Sequence, residues 1–352
     1  MKKYRIAYLM CTAVVVGTGL GAAPPAPRHA FHVVWPGQSI QKAVDAARPG
    51  DTVLVAPGIF HESVKVTTPG LTLRGMGRST VIEPSAKKAA NSCAEGGNGI
   101  CVVGAKDRNL ADVTIASLTV VGFARTGVFA MATDRLAVVN VTAARNGVWG
   151  IAQERSVRGL IRDNTALANG DAGIFLANTI QDEAGATDTG GTLIDHNRME
   201  GNRVGLTVRR LRNLAVARNR LADNCAALFV VGDENKPKAG ALTVSDNYVV
   251  RNNRSCPKTA RLDALQGVGI VLTGAEDTLV TRNVVRNNVG KSSLSGGIVL
   301  FKSFVNVTSD RNRISYNVLG GNYPADLINT DHGTGNTFER NICRASQPAG
   351  LC

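Results

Sequence analysis

The chain has 352 residues, with 40 Lys and Arg against 27 Asp and Glu, and only 5% of its side chains are aromatic. Its composition does not break along the length, which argues for one extended domain over two. No basic run carries interleaved aromatics, which excludes the usual nucleic-acid surfaces.

In chain order, Lys2, Lys3 and Arg5 precede an apolar run from Ile6 to Leu20, and Gly21-Ala22-Ala23 offers small residues for cleavage. That is the layout of an export signal over residues 1–23. A membrane span is disfavoured because the run is short and Pro24, Pro25 and Pro27 end it. The mature protein is then residues 24–352, secreted and extracellular, and Cys11 is lost with the signal. Removing Lys2, Lys3 and Arg5 leaves 37 basic residues against 27 acidic ones.

Ser39 fits as the N-cap of a short helix with Ile40, Val44 and Ala47 on one face, stopped by Pro49-Gly50. The region 32–60 reads as an N-terminal cap. Beyond it no helical period is sustained. Leu136 to Val139, Leu214 to Ala217 and Leu242 to Ser245 are brief alternating runs, which argue for short strands.

Two repeats overlie these strands. Gly followed by an aliphatic residue recurs at Gly127-Val128, Gly150-Ile151, Gly173-Ile174, Gly205-Leu206, Gly269-Ile270 and Gly297-Ile298, the first three spaced by 23 residues. An Asn pair five places apart, with an apolar or small residue at the third place, begins at Asn164, Asn197, Asn219, Asn247, Asn283, Asn312 and Asn336. Ala166, Met199, Leu221, Val249, Val285, Ile314 and Phe338 stand at that third place. Such a period means a solenoid. One coil cannot bury its own apolar side chains until the next stacks about 4.8 Å away. The Asn residues suit tight turns, where they tolerate left-handed backbone and form a stacked amide ladder.

Six Cys remain after the signal, close together as Cys93/Cys101, Cys225/Cys256 and Cys343/Cys352. An exported chain favours disulfides, and neighbour pairing is the simplest of about 15 connectivities. Cys225–Cys256 would clip one coil to the next, and Cys343–Cys352 would pin the tail 343–352. Thiolate metal sites need CxxC pairs, which are absent. Copper handling gains no support either, with only Met76, Met131 and Met199 in the mature chain and His scattered.

The stretch from Val33 through Trp35-Pro36-Gly37-Gln38-Ser39-Ile40 to Val55, followed by Pro57-Gly58 and Gly70 to Gly75, resembles the opening of right-handed parallel β-helix proteins of the pectin-lyase-like superfamily. The resemblance implies an all-β fold, a single right-handed parallel β-helix with a short N-terminal capping helix. A cap is needed because an open coil end exposes strand edges and core. For function it implies less, since the superfamily includes polysaccharide lyases, hydrolases, epimerases, esterases, tailspikes, metal-centre maturation proteins and members with no known activity.

The candidate site follows from alternation in the Gly-aliphatic strands: the residue after Gly points in and the next points out. Outward columns then hold Phe129, Phe175 and Phe229, and two places on Glu154, Arg209 and Phe301, with Arg155, Arg210 and Lys302 at the following turn. Phe129, Glu154, Arg155, Phe175, Phe229 and Phe301 are the candidate substrate-binding residues. The face is too apolar for open solvent, so either insertions cover it or it floors a groove. Insertions run from Asn178 to Gly191, Gly232 to Gly240, Asn253 to Gln266 and Val289 to Ser295. A uronide lyase needs a cation on the sugar carboxylate, a base for the adjacent proton and an acid for the leaving oxygen. Arg209 and Arg210 could neutralise, Lys302 could be the base, and His332, held by Asp331, the acid. Arg210 and Lys302 lie about three coils, roughly 14 Å, apart, so Lys302 with His332 is the compact pair.

No Asp-Asp beside Gly-His, no Asp-Pro-His-Glu and no calcium-dependent pectate lyase motif is present. No cofactor is demanded. Ca²⁺ is the one candidate, on Asp182, Glu183 and Asp188, whose spacing fits a solvated acidic loop better. Two readings stand. One is a secreted lyase or epimerase acting on an acidic polysaccharide. The other is a non-catalytic β-helix that binds glycan or cell envelope, or assists assembly of another exported protein. The expected partner is an acidic polysaccharide or cell-envelope glycan, and a monomer is the expected state.

Overall fold

Each short alternating run becomes a strand that pairs in parallel with the same position one coil on. The computed structural model describes residues 29–352 apart from Lys88, Lys106 and Arg261. The expected signal, residues 1–23, lies outside the described residues. Three parallel sheets run the length of the solenoid, as the resemblance implies. Sheet A carries strands such as Ala137–Val139 and Ala239–Ser245, sheet B Thr142–Ala144 and Tyr248–Val250, and sheet C Thr126–Met131 and Val268–Thr273. Registers hold from coil to coil: Val128, Ile151, Ile174, Leu206, Leu228, Ile270, Ile298 and Leu327 form one continuous column in sheet C. All are buried in one core that extends from Val34 to Leu327.

Turns between the sheets are held by two long amide ladders. One links Asn164, Asn197, Asn219, Asn247, Asn283, Asn317 and Asn341, each Nδ2 donating to the next Oδ1 at 2.9–3.0 Å. The other links Asn146, Asn169, Asn202, Asn224, Asn252, Asn288 and Asn322 at 2.8–3.1 Å. Two details correct the sequence reading. The left-handed backbone belongs to the residue before each Asn: His196, Arg218, Asp246, Arg282 and Tyr316 have φ between 53° and 59°. The Asn is needed for its amide, and the strained place accepts many side chains. In addition, Asn312 and Asn336 leave the main ladders and pair with each other. Ile314 and Phe338 therefore belong to sheet A, and Leu319 fills the sheet B column after Val285. Three-residue strands bracketed by Asn occur in both sheets at this end, so the phrase alone does not distinguish them.

The cap forms as its sequence requires. Helix Ile40–Ala46 buries Ile40 and Val44, and Ser39 Oγ accepts from the Lys42 amide. Glu62 completes the N-terminus by accepting from the Ile40 and Gln41 amides at 2.7 and 3.1 Å and from the Ser39 hydroxyl at 2.9 Å. Gln41 in turn covers the free edge of the first sheet C strand, Val64–Val66. Its amide accepts from the Lys65 N–H at 2.7 Å and donates to the Lys65 carbonyl at 3.1 Å.

One residue breaks the apolar interior. Gln153 stands between Ala130 and Leu176 in the inner column, 2% exposed, and its Nε2 has no hydrogen-bond partner. A buried unpaired amide costs about 1–3 kcal/mol. Gln153→Met is therefore expected to raise the melting temperature, and a fall of several degrees would show that the amide is satisfied.

Candidate functional site

The outer face of sheet C builds a second hydrophobic cluster, separate from the core. Ala152, Phe175, Phe229, Val271, Val299 and Ile328 are 6% exposed or less, and Trp149 stacks on Phe175 with ring centroids 4.5 Å apart. The stripe is too apolar to face water, and the insertions cover it. Ile180 from the 178–191 insertion, Leu262 and Leu265 from 253–266, and Leu294 from 289–295 all pack against it.

Two buried arginines and one disulfide hold that cover down. Arg210, 1% exposed, donates from Nη1 to Glu183 at 2.9 Å and from Nη2 to the Asp182 carbonyl at 2.9 Å, with Asp233 at 3.2 Å from Nη1. Arg203 donates to the Pro257 and Asp263 carbonyls at 2.6 and 3.1 Å. Cys225–Cys256 ties the 253–266 insertion to the coil it covers, Cys93–Cys101 fixes the short helix Ser92–Glu95 at the N-terminal end, and Cys343–Cys352 closes the tail. The three pairs join sequence neighbours, as expected.

The structure distributes the other expected site residues along this face. Phe175 and Phe229 are buried in the cluster, whereas Phe129 and Phe301 are half-buried at its ends. Glu154 Oε1 accepts from the Ile180 amide at 3.2 Å, and Arg209 Nη1 lies 3.4 Å from the Ile180 carbonyl, so both meet the covering loop. Arg155 is exposed and reaches Met131 Sδ at 3.0 Å. Lys302 and His332 are exposed on adjacent coils, since Leu300 pairs with Asn329. Asp331 does not hold His332 as expected: its two oxygens accept from the Gly333 and Ser309 amides at 2.7 and 3.2 Å, closing a turn. Arg203 was missed because a lone Arg before a repeat carries no signal of the loop that it clasps. Of the acidic loop, Glu183 is taken by Arg210, and Asp188 accepts from the Gly190 amide and Asn213.

A second set of ion pairs stitches the wall beside sheet C. Lys238 Nζ donates to Asp310 at 2.6 Å and to the Thr308 carbonyl at 2.9 Å. Burial of Asp310 opposes its ionisation, but Lys238, the Thr334 amide and Thr308 together outweigh it and hold its pKa at about 2. The Arg48 and Ala30 amides, with His32, bring Asp51 in the cap to about 2 as well. Folded pKa values below the ordinary 3.8 stabilise the native state above that pH, and the stabilisation is lost as pH falls toward 2. The melting temperature should hold from neutrality to about pH 4 and then drop toward pH 2. A level profile to pH 2 would remove these carboxylates from the account.

With this geometry in view, comparison with known proteins places the chain. Residues 44–257 match the family described as periplasmic copper-binding protein (NosD). The chain belongs to the NosD family. Among curated proteins no relative matches it. Similar solved structures include the mannuronan C-5 epimerase AlgE6 A-module of Azotobacter vinelandii, at 18% identity and TM-score 0.58 over 87% of this chain and 90% of that one. DFA-IIIase from Arthrobacter chlorophenolicus matches at 13% identity and TM-score 0.57 over 89% and 88%, and an alginate lyase from Paenibacillus at 14% and 0.53 over 87% and 99%. These likenesses establish the β-helix fold.

The donors of this NosD-family chain do not fit a copper centre. Its six Cys among the described residues are in disulfides, Met199 is sealed in the core, and His32, His61 and His196 each stand by a single carboxylate. Among the described residues no group of three or more His, Cys, Asp or Glu side chains could hold a metal ion.

Proposed function

We propose that this chain is an exported β-helix that binds an acidic glycan, a polyuronide or a cell-envelope polymer, without cleaving it. The observation that carries the reading is the closed outer face of sheet C. The stripe expected to meet substrate is an apolar cluster under loops clasped by Arg203 and Arg210. Three disulfides and the periplasmic description of the family favour an exported setting. Among the described residues no helix is long and apolar enough to cross a membrane. The surplus of basic over acidic residues favours anionic polymers, and solved structures of the same fold include a mannuronan epimerase and an alginate lyase. Polyuronides should bind more tightly than neutral glucans, and the affinity should fall with salt. Equal affinity for both would remove the acidic-glycan reading.

A second reading keeps catalysis. Lys302 is level with Asp331 on the next coil, with exposed His332 beside it. Lys302 would be the base and His332 the acid, with Arg209 neutralising a carboxylate in another subsite; Arg210, expected to share that role, is enclosed under the 178–191 insertion and is taken by Glu183 and Asp233. Incubation with polyuronides, with and without Ca²⁺, tests this reading. An ultraviolet signal from unsaturated sugars that Lys302→Ala or His332→Ala abolishes would establish a lyase.

A further inference from the structure

The outer stripe of sheet C changes character at its N-terminal end. Beyond Phe129 its column continues to Cys101 and then Lys65, and the neighbouring column passes from Met131 to Val103. There the covering loops stop and a pocket of about 590 Å³ opens, lined by Lys65, Thr67, Val103, Arg108, Asn109 and Leu110 among others. That volume lies within the roughly 300–1,000 Å³ typical of small-molecule sites.

Its walls are fixed by the backbone. Gln41 holds both polar groups of Lys65, as described above. Ala105 and Arg108 exchange amide–carbonyl bonds at 3.0 and 3.3 Å, which fixes the backbone that presents Arg108 and Asn109. Gly104 permits that backbone to sit down: a Cβ there would lie 2.1 Å from the Ala132 carbonyl oxygen and 2.7 Å from the Leu110 nitrogen.

The charges at this mouth are uncompensated. Several cations on the coils near sheet A have a carboxylate, as with Arg135 on Asp112 or Arg311 on Asp277. Neither Lys65 nor Arg108 has an ion pair among the described residues, and no acidic side chain lines the pocket. Two cations supply donors to a carboxylate, the guanidinium in bidentate form. Asn109 and Thr67 can both donate to and accept from hydroxyls, and Val103 and Leu110 offer apolar contact to the C–H face of a ring.

Resting on the glycan-binding reading above, we infer that this pocket is the subsite that takes a uronic-acid residue, its carboxylate between Lys65 and Arg108 and its hydroxyls on Asn109 and Thr67. The experiment is titration calorimetry of the full mature protein with trigalacturonate and trimannuronate, and with neutral galactotriose as control. The wild type should bind at least one of the acidic trimers and not the neutral one. Lys65→Ala/Arg108→Ala should weaken that binding at least tenfold with an unchanged melting temperature, and Arg108→Lys should recover part of it. If Lys65→Ala disturbs the cap, Arg108→Ala, at an exposed position, carries the test alone. Binding by the variants equal to that of the wild type overturns the assignment and leaves the glycan-binding reading intact. So does wild-type binding of polyuronides but of neither trimer. Failure of the wild type to bind any acidic glycan overturns both.

Discussion

Asn219→Leu is expected to cost about 3–5 kcal/mol of stability, the largest effect of any single side chain considered. Asn219 Oδ1 accepts from the Asn197 amide at 2.9 Å and from Asn197 Nδ2 at 3.0 Å, while its own Nδ2 donates to the Ile194 carbonyl at 2.9 Å and to Asn247 Oδ1 at 3.0 Å. Leucine has similar volume but none of these atoms, so four buried groups on the two flanking coils lose a partner at once. Each stranded group costs about 1–3 kcal/mol, partly offset where neighbours relax. Stability in a solenoid is a nearest-neighbour sum, so the damage should centre on the coils of Asn197 and Asn247. Urea unfolding gives the size and hydrogen exchange gives the place. The same change at Asn341, the half-buried end of the ladder, should cost far less. Equal losses at both positions would mean that the ladder contributes no cooperative stability.

Arg210→Ala is the second large effect, expected to cost about 3 kcal/mol and to release the 178–191 insertion. The guanidinium is almost wholly enclosed, yet its partner Glu183 is 68% exposed, so that ion pair adds little by itself. The weight rests on Asp233 and the Asp182 and Thr179 carbonyls, which the Arg satisfies in a site where water is excluded. Without it the loop should lift, taking Ile180 off the cluster around Phe175 and Ala177. Limited proteolysis should then cut within 178–191, and the variant should bind a hydrophobic dye that the native protein does not. A variant as resistant to proteolysis as the wild type would show that the cover is held by packing alone.

The architecture was legible because it is periodic. Gly127, Gly150 and Gly173 carry the coil length directly, and the residue after each points inward as alternation requires. The helix at Ser39 was legible from capping chemistry, whereas Glu62, which completes that cap from 22 residues away, was not. The site was less legible for the same reason. Whether Phe175 floors a groove or seals a cluster depends on where the insertions fold. That is decided by side chains such as Arg203 and Arg210, whose partners lie 23 to 60 residues off in sequence. The pocket at Lys65 and Arg108 was invisible because its two cations come from different coils and neither lies in a repeat.

The most direct test is proton NMR of defined polyuronides incubated with residues 24–352, because one spectrum reports binding, elimination and epimerisation together. The account predicts broadened sugar resonances at low salt, reversed by added salt, with no olefinic signals and an unchanged ratio of epimers. New olefinic resonances, or a drift in the epimer ratio over time, would contradict it and place chemistry at this face of the solenoid.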